Sequence, residues 1–341
     1  MINKTMLASA TALMLTMGAA QAQEKTLTIS VYALAQDEFK AIVYDPFEAK
    51  CGCKLVVETG NSVERLAKME ANKANPVVDM AVVSMADALS ATRNDLIEKI
   101  DTSKLSNYGK LYDIAKDPNG DGMSVGYTFY ATSIVYRTDK LKIDSWADLL
   151  KPENVGHVAF PNVTTNQGPP SLFMLGKALG NDAADLKTPI AAVGEKKDEL
   201  VTFYVKSSQL VQLMQQEEIW AAPIGRFTWA PFNKLDLPLA WATPKEGQTG
   251  GMNVMVLAKG SKNQDLALEF MDFWLSTEIQ TKLAEQLVDS PANAEVKVSD
   301  EIAENLTYGE ETAKSLTLIP SAAALDNRDA WLSEWNAKVG Q

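Results

Sequence analysis

Between residues 27 and 83 the chain reads strand, helix, strand, helix, strand, and that order leaves few folds open. Residues 27–32 alternate apolar and polar side chains, and residues 36–50 then place Phe39, Ile42, Val43 and Phe47 at helical spacing. Residues 54–58 form a second strand, closed by Thr59-Gly60-Asn61-Ser62. A helix carrying Val63, Leu66, Ala67 and Met69 follows, capped by Asn61 or Ser62. Residues 77–83 are nearly continuous in apolar side chains, as in a strand covered on both faces of a parallel sheet. The expected class is therefore α/β, an open, mainly parallel sheet flanked by helices. Ligands of such sheets lie beyond the carboxyl ends of the strands, here near Tyr32, Asn61 and Ser84. Asn61 and Ser84 also suit helix caps, which alone would account for them.

Further along, residues 124–136 are strand-like, with Tyr127, Phe129, Tyr130 and Tyr136, and long enough to leave one lobe and enter another. Gly250 and Gly251 ahead of an apolar strand suit a return crossing that includes Asn253. A 341-residue chain less a 22-residue leader exceeds what one core usually serves. The expected division is a leader at 1–22, one lobe from 23–124 plus 251–341, and a second from 125–250. Within the second, residues 162–170 bring Thr165 and Asn166 to the start of a helix, where free backbone N–H groups favour an anion. Leu266, Ala267, Phe270, Met271, Trp274 and Leu275 mark an amphipathic helix whose indole belongs to the core, and Trp331 and Trp335 mark a docked terminal helix.

The leader has one cation, Lys4, an apolar stretch from 6 to 20, and Ala20-Gln21-Ala22 as a small-x-small cleavage site, so the expected location is the periplasm. Net charge is -12, and loss of Lys4 makes it -13, which repels nucleic acid and anionic lipid. Cys51-Gly52-Cys53 reads either as a bridge across one glycine or as two quiet thiols. His157, the only histidine, is expected in the turn before a strand and rules out a His-rich metal centre. No cofactor or metal is expected.

The stretch from Glu217 to Trp229 sets Arg226 in an apolar, turn-rich context with Trp220 and Trp229. A guanidinium there needs an anionic partner, either a carboxylate of the chain or a ligand. Catalytic signatures are missing: no G-x-S-x-G elbow, no Walker loop, no G-x-G-x-x-G after the first strand and no H-E-x-x-H. The expectation is a binding protein and not an enzyme.

The order of elements, the leader, Ser145-Trp146-Ala147-Asp148-Leu149 with Lys151-Pro152-Glu153, Trp241-Ala242-Thr243-Pro244-Lys245-Glu246-Gly247 and the helix from Ala267 to Thr277 resemble the spermidine/putrescine branch of periplasmic solute-binding proteins. The resemblance spans essentially the whole mature chain. It implies two α/β lobes joined by hinge strands, a ligand in the cleft, closure on binding, and a membrane permease of an ABC importer as partner to a monomer. Polyamine binders of that branch hold ammonium groups with acids after the strand matching residues 158–160 and on the strand leaving the second crossing. Here those places read Thr164-Thr165-Asn166-Gln167 and Met252-Asn253, and Arg226 adds a cation. Other members take zwitterions such as 4-aminobutyrate or aminophosphonates. The expected ligand is thus a small solute with an acid group held by Arg226, with Trp229, Trp220, Tyr127, Tyr130, Thr165, Asn166, Ser84, Asn61, Tyr32 and Asn253 around it. Polyamine binding is the alternative, with ferric iron and secreted-enzyme readings behind it. The residues give no acid for the amine end of a zwitterion.

Overall fold

The computed structural model describes residues 25–181 and 184–340, so the leader read at 1–22 lies outside it. Strands β1 (Thr26–Val31), β2 (Lys54–Thr59) and β3 (Met80–Ser84) pair in parallel in the order β2–β1–β3. Helical turns Gln36–Phe39, Lys40–Tyr44 and Asp45–Cys51 link the first two and bury Phe39, Val43 and Phe47. Gly52, left-handed at φ 58°, ends the run, and the flanking Cys51 and Cys53 are joined as a disulfide, which settles the two readings of that motif. The apolar run of β3 is buried from Met80 to Val83, as a central strand requires. β4 (Ile97–Glu98) is a short edge piece.

Strand β5 (Ser124–Arg137) runs through fourteen residues. Beyond it lie β6 (Ala159–Pro161), β7 (Thr202–Tyr204), β8 (Ala221–Gly225) and β9 (Leu239–Trp241), and β10 (Thr249–Ala258) returns antiparallel to β5 and β3. The sheet is therefore mixed: β10 runs against both β3 and β5, and β8 and β9 run against β5. β6 lies parallel to β7, and a bridge from Val158 to Ala221 sets it parallel to β8.

Buried side chains divide accordingly. One core gathers β1, β2, β3, the first half of β5, most of β10 and Trp274, which is 1% exposed. The second half of β5 and its neighbours are buried on both faces: Ile134, Ala221, Val158 and Phe160 face one cluster, while Val135, Ala222 and Ala159 face another. This alternation is what a strand covered by helices on both sides produces. The final helix, Ser321–Lys338, buries Trp331 and Trp335 in the Ile134 cluster, while its Asp326 pairs with Arg93 of the helix Met85–Arg93 on the first core. It thus touches both halves. Among the described residues no helix is long and apolar enough to cross a membrane.

The two stretches that carry the family resemblance meet each other. Asp148 Oδ2 accepts from the Ser145 N–H at 2.9 Å, closing a capping box. Ser145 Oγ donates to Glu246 Oε1 at 2.6 Å, the Trp146 N–H reaches Glu246 Oε2 at 3.2 Å, and the Trp146 indole donates to Gly247 O at 3.0 Å. These residues fix the turn that delivers β10 and are architecture. Glu246→Ala is expected to cost about 2–3 kcal/mol in urea unfolding, since it strips a carboxylate from two buried donors.

Candidate functional site

β5 and β10 pass between the cores side by side, and their register slips where they cross: Asn253 faces Thr128, but Val254 faces Gly126. The extra residue is Tyr127, a bulge that turns β5 at the crossing. Asn253 also faces Ser84 on its other side. The return strand therefore enters the first core at the carboxyl end of β3, where an α/β sheet presents ligand sites.

A polar group lines this first face. Ser62 Oγ donates to Tyr32 Oη at 3.2 Å, and Tyr32 Oη points to Asn253 Oδ1 at 3.4 Å. Arg65, 5% exposed, lies 4.7 Å from the Tyr32 ring centre and donates to Gly60 O at 3.0 Å, Ser30 O at 2.9 Å and Val82 O at 2.8 Å. It ties together the strand ends, and burial lowers its pKa. Asn61 and Ser84 cap their helices, accepting from the Glu64 N–H at 2.9 Å and the Asp87 N–H at 3.1 Å. Tyr127 is buried against Trp274, ring centres 5.1 Å apart, and burial holds its phenol well above the usual range, with Asp289 adding to the shift. Asp289 itself is pushed up to about 7 by burial, opposed by a hydrogen bond from Thr128.

The second face is built on β8. Its last residue, Gly225, pairs with Thr132 of β5, and the turn Arg226–Thr228 follows. The Arg226 guanidinium lies against two indoles that meet edge-on at 6.0 Å, 5.2 Å from the Trp229 ring and 4.7 Å from the Trp241 ring, and donates through Nη2 to the main-chain oxygen of Glu304. Its Nε is buried without a hydrogen-bond partner. Among the described residues no carboxylate forms an ion pair with Arg226. Burial pulls its pKa down to about 10, with Glu304 opposing, so it stays cationic at neutral pH. Phe227, 59% exposed, meets the Tyr130 ring edge-on at 5.4 Å. Tyr130 lies across Gly251, where a Cβ would fall 2.3 Å from its hydroxyl, so only glycine admits the ring. Burial pushes Tyr130 up to about 12.

Trp220 departs from the sequence expectation. It precedes β8, stacks on His157 at 3.4 Å and lies near Lys140, so the length of β8 separates it from Arg226. A strand of that length carries the two indoles to opposite ends of the sheet, roughly 20 Å apart. Trp241 takes the second place beside the guanidinium. It belongs to the Trp241–Gly247 stretch of the family resemblance, and the pairing of β9 with β5 brings it to Arg226. Thr165 and Asn166 follow β6, which is parallel to β8, so they share the Arg226 end of the sheet. Thr165 Oγ1 accepts from the Gly168 N–H at 3.0 Å as a cap, and Asn166 is exposed. Asp289 and Glu304, in segments without periodic signal, were not legible as site residues. Tyr204 donates its hydroxyl to Pro223 O at 2.6 Å, so that oxygen is committed. Among the described residues no group of three or more His, Cys, Asp or Glu could hold a metal ion.

Two half-sheets joined by paired crossings, with polar and aromatic side chains gathered at the strand ends beside them, define a two-lobed solute-binding protein. Residues 43–308 match the family model of bacterial extracellular solute-binding proteins, and the chain belongs to that family. It is 28% identical over 312 residues to the spermidine/putrescine-binding periplasmic protein of Escherichia coli, covering 87% of this chain and 83% of that one. It is 30% identical over 283 residues to the putrescine/cadaverine-binding protein of Pseudomonas aeruginosa, covering 76% and 77%. An ABC transporter structure from Clostridium perfringens superposes with a TM-score of 0.85 at 31% identity, covering 92% of this chain and 99% of that one. The protein is the solute-binding component of an ABC importer and works with a membrane permease; it is not an enzyme.

Proposed function

We propose that this protein captures, in the periplasm, a small organic solute bearing an acid group, and that Arg226 anchors that group. The observation that carries the reading is a half-buried guanidinium set against Trp229 and Trp241, with one main-chain acceptor, a buried Nε without a partner, and no carboxylate in ion-pair contact among the described residues, the Glu304 carboxylate acting on it only from farther off. Its fork suits a carboxylate or phosphonate engaged through parallel hydrogen bonds. The lobes are taken as 23–124 plus 251–341 and 125–250, with the terminal helix touching both cores. Closure over the solute would be a shift between conformations, driven by contacts made better in the closed form. Export through a cleavable leader at 1–22 and action as a monomer complete the reading.

A polyamine is the second reading, favoured by the relatives, which are named for spermidine, putrescine and cadaverine. Against it stand Arg226 and the uncharged Thr164-Thr165-Asn166-Gln167 and Met252-Asn253. Thermal shift of the mature protein against polyamines, amino acids of graded chain length, aminophosphonates, betaines and dicarboxylates separates the two, because a ligand of the folded form raises its melting point. A rise with acid-bearing solutes is expected; a rise confined to polyamines rejects the Arg226 reading.

A further inference from the structure

Arg226 accounts for one end of a solute, and the uncharged residues in the expected amine places leave the other end without a partner. We propose that Asp289 receives an ammonium group of the solute, which makes the ligand a zwitterion with its amine and acid at separate ends; this rests on the Arg226 reading. Asp289 follows the helix Thr277–Glu285, and two residues later Pro291 bridges to Thr128 of β5. Thr128 is the partner of Asn253, so the carboxyl stands beside the crossing and at the carboxyl ends of the first sheet.

Its Oδ2 is buried without a hydrogen-bond partner. A buried carboxylate oxygen normally has a donor or a cation, and one without either is costly, so a cationic group that reaches it is stabilised there. Burial and the Thr128 hydroxyl account for its environment, and no cation contributes. The groups that face it are the phenols of Tyr127 and Tyr44, from β5 and from the helical turn Lys40–Tyr44. Tyr32 faces Tyr127 in turn, and Arg65 and Asp87 face Tyr32. Phenol oxygens beside a carboxylate are further acceptors for the N–H groups of an ammonium.

The segment after Asp289 leads to the other charge. Ser290 Oγ accepts from the Thr307 N–H at 2.9 Å, Thr307 Oγ1 accepts from the Ala131 N–H at 2.8 Å, and Glu304 holds Arg226. Along β5, Thr128 marks the Asp289 end and Thr132 the Arg226 end. Four residues of strand place these ends about 13 Å apart before the side chains reach inward. That spacing favours an amine and an acid separated by a chain over an α-amino acid, whose charges share one carbon.

The test is calorimetric titration of wild type, Asp289→Asn and Arg226→Ala with 5-aminopentanoate, pentanoate and putrescine, at pH 7 in two buffers of different ionisation enthalpy. Asp289→Asn is expected to lose about 10-fold or more in affinity for 5-aminopentanoate while keeping pentanoate within about two-fold. Because Asp289 is partly protonated at pH 7, wild type is also expected to release a fraction of a proton on binding the amine, and Asp289→Asn none. Unchanged affinity for 5-aminopentanoate in Asp289→Asn, or equal proton release, overturns the proposal and leaves the Arg226 reading standing. Putrescine binding that is lost in Asp289→Asn and kept in Arg226→Ala overturns the zwitterion proposal together with the Arg226 reading. Failure of wild type to bind either amine overturns the proposal.

Discussion

Arg226→Ala is expected to weaken binding of an acid-bearing solute by roughly 30-fold or more, because truncating one partner of a buried, hydrogen-bonded charge pair costs about 2–5 kcal/mol. The empty protein is expected to change less, by about 1–2 kcal/mol, because the burial that pulls the guanidinium pKa down offsets part of what its contacts contribute. Its guanidinium there makes one hydrogen bond, to the Glu304 carbonyl, and two contacts with indole faces, each worth about 0.5–1 kcal/mol where water reaches them. Calorimetric titration and urea unfolding of the same variant read the two quantities separately. A stability loss as large as the affinity loss would make Arg226 a packing residue. Arg226→Lys sharpens the result: it keeps the charge and loses the fork, so affinity is expected to fall by an intermediate amount.

The second large effect concerns stability and pH. Burial raises Asp289 from 3.8 to about 7. Below the unfolded value both states hold the proton, and the group contributes no pH dependence. Between about 4 and 7 the folded protein keeps a proton that the unfolded chain has lost, so wild-type stability falls as pH rises through that window. Above 7 the cost is fully present. Asp289→Asn has no proton to lose, and the gap between variant and wild type is expected to widen by roughly 2–3 kcal/mol from pH 5 to pH 8, in the variant's favour. Urea midpoints of the ligand-free proteins at the two pH values check this. Parallel profiles would show that Asp289 is ionised at low cost.

These effects centre on residues that the sequence exposes unequally. The α/β order of residues 27–83 is legible because period-two and period-3.6 patterns survive in β1 and the helices, and because β3 is apolar enough to be central. Trp274 reads as core because its helix repeats apolar residues on one face, and it is buried there. The length of residues 124–136 and the paired Gly250-Gly251 anticipate the strands β5 and β10, while the change of core along β5 falls between Ala131 and Ile134, later than the 124/125 boundary expected. The mixed character of the sheet is not legible, since strand direction depends on where the chain returns.

Within the site, Arg226 stands out because a cation is unusual in an apolar run. Trp220 misleads for a geometric reason: nearness in sequence across a strand means distance in space, whereas Trp241, fifteen residues after Arg226, lies against it through the β5–β9 pairing. Asp289 is one of 44 acids in the chain, and only the folding of its loop onto Thr128 distinguishes it. Ser145, Trp146 and Glu246 bond to one another, so their resemblance reports the scaffold and leaves the ligand open.

The most direct measurement compares 5-aminopentanoate with 5-aminopentanamide by titration calorimetry, with putrescine alongside. The amide keeps the amine, the chain length and the shape, and removes only the negative charge that Arg226 would hold. The expected result is binding of the acid, with the amide and putrescine weaker by roughly 30-fold or more. Equal binding of acid and amide, or tighter binding of putrescine, would contradict an acid-bearing solute anchored by Arg226.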